Sequence, residues 1–254
     1  MLVQAVDSVL GQQAGPPEII IVDDGSTDDT VAAISAQFPE VRLIECSGLG
    51  PGLARNKGAS EASGDILMFL DSDDLWFPHH IQALTEVISR GYQVAYGSCR
   101  TVDEINGGEF MIPAEYERVE GDCFQHMMRW CFLVPSATAI TRKAFDAADG
   151  FSDEHYGEDW TFFLRLAALF PFGFAAGPPI TLRRLHAKSL CCLSGNTKVL
   201  QLIRRIILVL KEESRAGFDD IAHFMRMEQF VIQRGKQWTT VQDWYMAMRD
   251  EGII

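Results

Sequence analysis

The sequence predicts an α/β protein with a doubly wound, mostly parallel, Rossmann-like sheet and a C-terminal helical appendage. The first observation is that apolar runs typical of buried strands alternate three times with helical patterns within about 75 residues. The second is that two of these runs end in carboxylates, at residues 23–24 and 71–74. Ligands of doubly wound sheets bind outside the carboxyl ends of the strands, so both clusters are expected at a binding site.

Three helix–strand alternations make up the first part of the chain. A helix opens it, because apolar residues repeat at helical spacing until an Ala-Gly-Pro-Pro stretch breaks the pattern. The apolar run at 19–22 predicts a strand covered on both faces, and Ser26 and Thr27 are expected to cap the helix that follows. Two further strands are predicted at 41–46 and 65–70, separated by a glycine-rich loop and a helix.

The rest of the chain continues the mixture of helices and strands. Residues 101–125 are rich in Gly and Glu and are expected to be irregular, and residues 171–186 are expected to form a strand pair around a Gly-Pro-Pro turn. The other predicted elements are a helix at 78–91, a strand at 92–99, a helix, strand and helix within 127–151, a helix at 157–170 and mainly helices from 196 onward.

The composition is that of an ordinary globular protein, but its charge excludes one class of partner. Of the 254 residues, 47% are hydrophobic and 22% are charged, which argues against a disordered or fibrous protein. The net charge of -13 leaves no electrostatic footprint for duplex nucleic acid, and an anionic ligand would need a metal or a positioned Arg. A cytoplasmic location is expected, because there is no signal-peptide pattern, no apolar run of about 20 residues and no CxxC among the six cysteines.

Three carboxylates crowd the end of the third predicted strand. Asp71, Asp73 and Asp74 follow directly on five apolar residues. Carboxylates this close repel one another and raise one another's pKa unless a cation or hydrogen-bond donors compensate, so a positive charge is expected beside them. The alternative is a solvated acidic turn, since Asp and Ser are ordinary turn formers.

Three stretches of the chain resemble the signature regions of family 2 glycosyltransferases. They read IIIVDDGSTDDT, GPGLARNKGASEASGDILMFLDSDD and GEDWTFFLRLA, and they stand in the family's order and spacing. The resemblance implies the glycosyltransferase A fold and transfer of a sugar with inversion. It also implies a catalytic domain at 1–195, with a nucleotide-binding half at 1–75 and an acceptor half at 76–195, followed by a helical region at 196–254.

One element of the family has no counterpart at the start of this sequence. Members normally begin with a strand and a short Pro-x-Tyr-Asn-like turn ahead of the helix that opens this chain. We therefore expect either that the chain is part of a longer product or that it folds without this central strand. Loss of the strand would expose the backbone edges of its neighbours.

The resemblance implies a donor site built from carboxylates and one arginine. It implies that Asp24 binds the nucleobase, where its carboxylate accepts the imide N–H of uracil. It implies that Asp23 orients the loop or binds a ribose hydroxyl. Arg55, in Ala-Arg-Asn, would lie by the nucleotide, since a planar guanidinium suits phosphate or carboxylate. The alternatives are an acidic turn ahead of a helix for the two aspartates and a surface helix position for Arg55.

The Asp-x-Asp of the family, which is Asp71 and Asp73 here, implies a divalent metal site for Mn²⁺ or Mg²⁺. Such a cation is held by one or two carboxylates and shared with the donor's phosphate oxygens. Asp73 is the implied direct ligand, Asp71 contacts the ribose or the metal through water, and Asp74 is a further candidate. His186 lies in a segment that resembles the family's closing motif, where a His approaches the metal or the diphosphate; a structural His is the alternative.

The last motif implies the catalytic base. An acceptor hydroxyl is a poor nucleophile unless a carboxylate takes its proton as the new bond forms. The family places this base at the second residue of the Glu158-Asp159 pair, so the resemblance assigns it to Asp159. The alternative is an acidic pair that only stabilises the N-terminus of a helix.

The predicted function is that of an inverting, metal-dependent glycosyltransferase in cell-surface polysaccharide biosynthesis. Its expected partners are a nucleotide sugar, such as a UDP-sugar, and a saccharide or lipid-linked acceptor, with any membrane contact peripheral, at the inner face. One alternative is a non-catalytic nucleotide-sugar-binding remnant or scaffold protein. Another is a phosphohydrolase with Asp71 as nucleophile, although Asp74 and Leu75 replace the hydroxyl residue usual in that pattern.

Overall fold

The computed structural model describes residues 1–189, 196–234, 247–248 and 250, which divide into two compact units. The first unit consists of Met1–Met127 and Cys131–Leu185, and it contains all the described strands. The second consists of Met128–Trp130 and the described part of His186–Ile254.

Alternating helices and strands open the first unit, as predicted. They are α1 (Leu2–Leu10), β1 (Ile20–Asp23), α2 (Thr30–Gln37), β2 (Arg42–Glu45), α3 (Pro51–Glu61) and β3 (Ile66–Met68). β1 and β2 pair in parallel, with Ile21 opposite Leu43. A small hydrophobic cluster joins α1 and α2 to β1: Val6, Ile21, Ile34 and Phe38.

Together with β3, the later elements of the first unit form two four-stranded sheets with their covering helices. These later elements are β4 (Leu75–Trp76), α4 (His80–Ser89), β5 (Val94–Gly97), β6 (Cys99–Asp103), β7 (Glu109–Ile112), α5 (Phe124–Arg129, whose last two residues belong to the second unit), β8 (Thr138–Thr141), α6 (Arg142–Ala147), α7 (Glu158–Leu169), β9 (Phe172–Ala175) and β10 (Thr181–Leu185). The strand orders are β3-β8-β5-β9 and β4-β10-β6-β7.

The sheets confirm the α/β class and add antiparallel pairs that the sequence does not predict. β5 pairs in parallel with β9, and β6 pairs in parallel with β10. β8, however, runs antiparallel to both β3 and β5. β8 is buried along most of its length, as is usual for a parallel strand, so its sequence does not reveal that it runs antiparallel.

β1 and β3 each pair along one edge among the described strands. β1 pairs with β2, and β3 pairs with β8. Glu18, ahead of β1, accepts the backbone N–H of Ser63, ahead of β3, at 2.8 Å and its hydroxyl at 2.9 Å. A side chain rather than a backbone ladder therefore ties the beginnings of these two strands. The expectation of a further strand stays a prediction.

The start of α2 differs from the predicted cap. α2 begins at Thr30 with Asp29 in the N-cap position, so Ser26 and Thr27 do not cap it. The carboxylate of Asp23 accepts the backbone N–H of Ser26 at 3.0 Å. This bond folds residues 24–26 back toward Asp23. The first turn of the helix therefore begins only at Thr30.

Residues 101–125 are more regular than predicted. β6 and β7 form an antiparallel hairpin, and Arg100 binds Glu109 across it with Nη2 and Oε1 2.7 Å apart. Gly107 and Gly108 both have positive φ in the turn. The glycines that suggested irregular chain are therefore the residues that let the backbone make this turn.

The strand pair predicted at 171–186 is wrong, because β9 and β10 belong to different sheets. β9 pairs with β5, whereas β10 pairs with β6 and β4. The Gly-Pro-Pro segment between them carries the chain from one sheet to the other, and Gly177 has a φ of 133° there. Turn residues in the sequence predict that the chain bends there, but they do not predict which strands pair with each other.

The middle of α7 lies in the core of the first unit. Phe162, Phe163 and Leu164 are fully buried. The rings of Phe162 and Phe151 lie 4.1 Å apart between centroids, and Phe145 packs on Phe162 at 5.5 Å. This packing fixes the position of the first turn of α7, which carries Glu158 and Asp159.

The described part of the second unit is helical, as predicted. α8 (Asn196–Glu212) packs on α9 (Phe218–Arg234). The apolar side chains of α8 that repeat at helical spacing, such as Ile203 and Ile206, are fully buried. Among the described helices, none is long and apolar enough to cross a membrane.

Candidate active site

Asp23 and Asp24, at the end of β1, bind backbone N–H groups. Asp23 is buried and accepts the N–H of Ser26. Asp24 accepts the N–H of Leu49 at Oδ1 over 2.8 Å and that of Gly50 at Oδ2 over 2.7 Å. Asp24 therefore ties the end of β1 to the start of α3. A carboxylate has about four lone-pair sites, so these two bonds leave Asp24 able to accept a further donor.

Arg55, on α3, joins two carboxylates from distant parts of the chain. Its Nη2 donates to Asp71 Oδ1 at 2.7 Å, and its Nη1 donates to Glu158 Oε1 at 2.8 Å. Its guanidinium carbon also lies 5.2 Å from the centroid of the Phe151 ring. Burial alone would lower the pKa of Arg55, but the two carboxylates raise it, so the group stays charged. Arg55 thus supplies positive charge to the acidic cluster.

The carboxylates that follow β3 differ in their surroundings. Asp71 and Asp73 are half-buried, and the N–H of Asp71 donates to Ser136 Oγ at 3.1 Å. Asp74 is buried and accepts the backbone N–H of Arg184 at 3.2 Å. Burial, with the charges of Asp71 and Asp73, raises the pKa of Asp74 to about 7. Asp74 therefore fixes the acidic loop to β10, while Asp71 and Asp73 remain partly open to solvent.

Glu158 and Asp159 form the start of α7. Asp159 is half-buried, and its Oδ1 accepts the N–H of Trp160 at 2.7 Å. Burial raises the pKa of Asp159, against the opposing charge of Arg55. Burial and the charge of Asp159 raise the pKa of Glu158, whereas the charge and the hydrogen bond of Arg55 oppose this rise and favour the ionised carboxylate. A carboxylate with a raised pKa is a better proton acceptor near neutral pH.

Asn56, which the sequence analysis does not select, fixes the loop before α7. Its Nδ2 donates to the carbonyl oxygen of Phe151 at 2.7 Å, and its Oδ1 accepts the N–H of Phe151 at 2.8 Å. This pair of bonds joins α3 to the loop that leads into Glu158. The signal in the sequence is its place beside Arg55 in Ala-Arg-Asn.

Two further residues at the site escape sequence reasoning. Ser136 binds the backbone of Asp71 through its hydroxyl, and its carbonyl oxygen accepts the indole N–H of Trp76 at 2.8 Å. Arg183, on β10, opposes the rise in pKa that burial causes at Asp74 and at Asp159, so its charge acts on both acidic segments. The sequence carries no signal for Ser136, while Arg183 is the first residue of the segment that contains His186.

Four predicted site residues lie on segments that meet in the structure: Asp24, Arg55, Asp71 and Asp159. Gly50, which Asp24 holds, lies against His155 of the loop before α7, since a Cβ at Gly50 would be 3.2 Å from that ring. Arg55 then connects Asp71 directly to Glu158, the neighbour of Asp159. The end of β1, the start of α3, the acidic loop and the start of α7 therefore meet in one region of the first unit.

The described residues contain no group of three or more His, Cys, Asp or Glu side chains placed to hold a metal ion. A cation shared with a nucleotide needs only one or two carboxylates from the protein, so the partly open Asp71 and Asp73 fit that kind of site. His186 belongs to the second unit, where its Nδ1 accepts the N–H of Lys188 at 3.2 Å. A role of His186 at a metal stays a prediction.

Gly52 is a point of close contact between α3 and the loop before α7, and Gly52→Ala should destabilise the protein. A Cβ there would be 2.3 Å from the carbonyl oxygen of Ser152 and 3.2 Å from Cγ of Glu158. Alanine gains about 1 kcal/mol of helix propensity, but overpacking against backbone costs about 1–3 kcal/mol, so we expect a net loss of stability. Thermal unfolding of the variant measures it.

The matched control for Gly52→Ala is Gly58→Ala on the same helix. A Cβ at Gly58 would make an ordinary contact, 3.4 Å from Cγ2 of Val22. We therefore expect Gly58→Ala to leave the Tm unchanged or higher, because only the helix propensity changes. Equal Tm values for the two variants would contradict the close approach of α3 to the loop.

Comparison with known proteins points to one family. The family model "Glycosyl transferase family 2" matches residues 1–147. A protein named Uncharacterized glycosyltransferase alr2836, from Nostoc sp. (strain PCC 7120), is 34% identical over 156 residues, which are 57% of this chain and 48% of that protein. The succinoglycan biosynthesis protein ExoO of Rhizobium meliloti is 39% identical over 97 residues, or 37% of this chain and 28% of that protein.

The fold also resembles a solved structure. S. aureus TarS 1-349 in complex with UDP-GlcNAc superposes with a TM-score of 0.69 at 15% identity, over 90% of this chain and 67% of that one. This likeness concerns the fold. The chain spans less than two thirds of the length of the first curated relatives that it matches.

Proposed function

Because the chain belongs to glycosyl transferase family 2 and has its glycosyltransferase A type fold, we propose that it moves a sugar from a nucleotide-sugar donor to an acceptor hydroxyl with inversion. One observation carries this proposal. Arg55 connects Asp71, at the end of β3, to Glu158, at the start of α7, so the acidic loop and the candidate base lie at one site. Sugar transfer needs a group that binds the donor phosphates and a base that takes the proton of the acceptor hydroxyl, and the two must lie close together.

Asp159 is the proposed general base. Its carboxylate takes the proton of the acceptor hydroxyl while the hydroxyl oxygen forms a bond to the anomeric carbon of the donor. The bond between that carbon and the phosphate oxygen breaks, and its electron pair leaves with the nucleoside diphosphate. A raised pKa, caused by burial, makes Asp159 a stronger base than an exposed Asp. Attack opposite to the leaving group inverts the anomeric configuration.

The donor end of the site is proposed to bind a uridine nucleotide. Asp24 stands at the end of β1 and can accept the imide N–H of uracil in addition to its two backbone bonds. Asp73 and Asp71 would hold Mn²⁺ or Mg²⁺ together with the phosphates. When bound, such a cation neutralises the charge of the departing diphosphate. The UDP-GlcNAc complex of S. aureus TarS supports a donor of this class.

The acceptor is proposed to be a saccharide or a lipid-linked saccharide. The names of relatives support this class, for example ExoO in succinoglycan biosynthesis and a Campylobacter jejuni glucosyltransferase named for an undecaprenol-linked acceptor. The latter is 26% identical over 175 residues, 65% of this chain and 55% of that protein.

A donor screen tests the proposed function. The protein is incubated with Mn²⁺ and each of a panel of nucleotide sugars, with and without oligosaccharide and polyprenyl-linked acceptors, and the products are followed by mass spectrometry. We expect a uridine donor to release nucleoside diphosphate and to give an acceptor one sugar heavier. Intact donor in every mixture would contradict the proposal.

A further inference from the structure

The ion pair between Arg55 and Glu158 helps to locate the site, but the transfer proposed above gives it no chemical role. The side chains are 13% and 9% exposed, and Nη1 and Oε1 are 2.8 Å apart. Burying two charges costs several kcal/mol, which their attraction offsets only in good geometry. A second pair on the same helix, Lys57 with Glu61, is more open, with side chains 40% and 27% exposed. The two pairs on α3 therefore allow a buried and an exposed contact to be compared.

Glu158 is held in place on two sides. It begins α7, whose middle is anchored in the core by aromatic packing. Its side chain also lies against Gly52, where a Cβ would be 3.2 Å from its Cγ and 3.3 Å from its Cβ. Glu158 is therefore a fixed partner for one arm of the Arg55 guanidinium, which is its Nη1 amino group.

The other arm of Arg55 contacts the acidic loop. Nη2 lies 2.7 Å from Asp71 Oδ1, and the side chain of Asp71 is 39% exposed. A guanidinium has a rigid fork that pairs with both oxygens of one carboxylate when nothing else restrains it. Since Glu158 takes Nη1, Arg55 reaches Asp71 through Nη2 alone. The guanidinium thus binds Asp71 at one carboxylate oxygen, Oδ1.

We propose that Glu158 is a positioning residue that restrains Arg55 and so keeps Asp71 available to the cation and the nucleotide. This inference rests on the proposed donor site and concerns a different step from the proton transfer at Asp159. Without the charge of Glu158, both arms of Arg55 turn to Asp71 and compete with the cation. Glu158 acts on the donor through Arg55 and does not touch the reacting atoms.

The test measures Mn²⁺-dependent binding of uridine diphosphate by calorimetry, with Glu158→Gln made in two backgrounds. In the wild-type background, Glu158→Gln should raise the half-saturating Mn²⁺ concentration by about 10–100-fold, the range by which changes outside the direct ligands of a metal alter its affinity. In an Arg55→Gln background the same substitution should change it by less than about twofold, because the competing arm is gone. Equal changes in both backgrounds, or none in either, would overturn the proposal.

Two further variants serve as controls for the charge and the fold. Glu158→Asp keeps the charge and should bind Mn²⁺ more tightly than Glu158→Gln; equal loss in both would overturn the role of the charge. Lys57→Gln removes the exposed pair on the same helix and should leave Mn²⁺ binding unchanged, as expected for a surface pair. If Lys57→Gln weakens binding as much as Glu158→Gln does, α3 is merely sensitive to substitution and the proposal fails.

The outcome does not depend on the transfer reaction. Binding of uridine diphosphate needs no acceptor and no turnover, so failure of the donor screen would refute the proposed function without changing the binding comparison. In an active preparation, Glu158→Gln should raise the Mn²⁺ requirement and recover much of its rate at high Mn²⁺. A rate that stays low at saturating Mn²⁺ would instead assign Glu158 to the chemical step.

Discussion

Asp159→Asn should lower the rate of sugar transfer by about two to four orders of magnitude, the range usual for loss of a general base. Asparagine has nearly the same size and keeps a side-chain oxygen that accepts the N–H of Trp160, a bond of 2.7 Å in the structure. The start of α7 should therefore keep its geometry. Nucleotide affinity and the Mn²⁺ requirement should stay as in the wild type, because Asp24 and Asp73 are unchanged. Steady-state rates at saturating donor and Mn²⁺ measure the effect.

The matched control for Asp159→Asn is Asp153→Asn. Asp153 is an exposed carboxylate in the loop that leads into α7. The same loss of charge there should leave the rate within about twofold of the wild type, because Asp153 is exposed and has no part in the proposed proton transfer. Near-normal transfer by Asp159→Asn would show that another group accepts the proton, and the catalytic interpretation of α7 would be wrong.

Asp73→Ala is expected to abolish the cation-dependent part of nucleotide binding. A protein with a net charge of -13 opposes a bare diphosphate, so the cation must carry the affinity. Since one or two carboxylates hold such a cation, removing the direct ligand should weaken Mn²⁺-dependent binding of uridine diphosphate by at least about 100-fold. Calorimetry with and without Mn²⁺ separates this part from binding that needs no cation.

Asp65→Ala provides the control for Asp73→Ala. Asp65 stands at the other end of β3, where its side chain is exposed. Its removal changes the net charge by the same amount, so a general charge effect would appear in both variants. We expect normal Mn²⁺ dependence for Asp65→Ala. Unchanged Mn²⁺-dependent affinity in Asp73→Ala would remove the metal assignment from the acidic loop.

Much of the fold follows from local patterns in the sequence. β1, β2 and β3 and the helices between them lie where the sequence pattern predicts, because each strand contains a short apolar run that is bounded by turn residues. The pairing of strands is less predictable. β8 enters its sheet between β3 and β5, and β9 and β10 separate into two sheets, since long-range contacts decide which edges meet.

The candidate site divides in a similar way. Motif spacing selects Asp24, Arg55, Asp71 and Asp159, and the structure gathers the segments that carry them. The partners of those residues cannot be selected in this way, because they are set by tertiary contacts. Asn56 and Ser136 act through bonds to backbone groups far away in the chain, and a single sequence has no pattern for such bonds. The pairing of Arg55 with Glu158 spans 103 positions and belongs to the same class.

The anomeric configuration of the product tests most directly the claim that a single displacement assisted by Asp159 takes place here. Once the donor is known, ¹H NMR of the newly formed glycoside gives this configuration from the coupling of the anomeric proton. One displacement by an acceptor oxygen, with Asp159 as the base, predicts a product of opposite configuration to the donor. A product that retains the configuration of the donor would contradict the account, because it requires a different sequence of bond changes at that carbon.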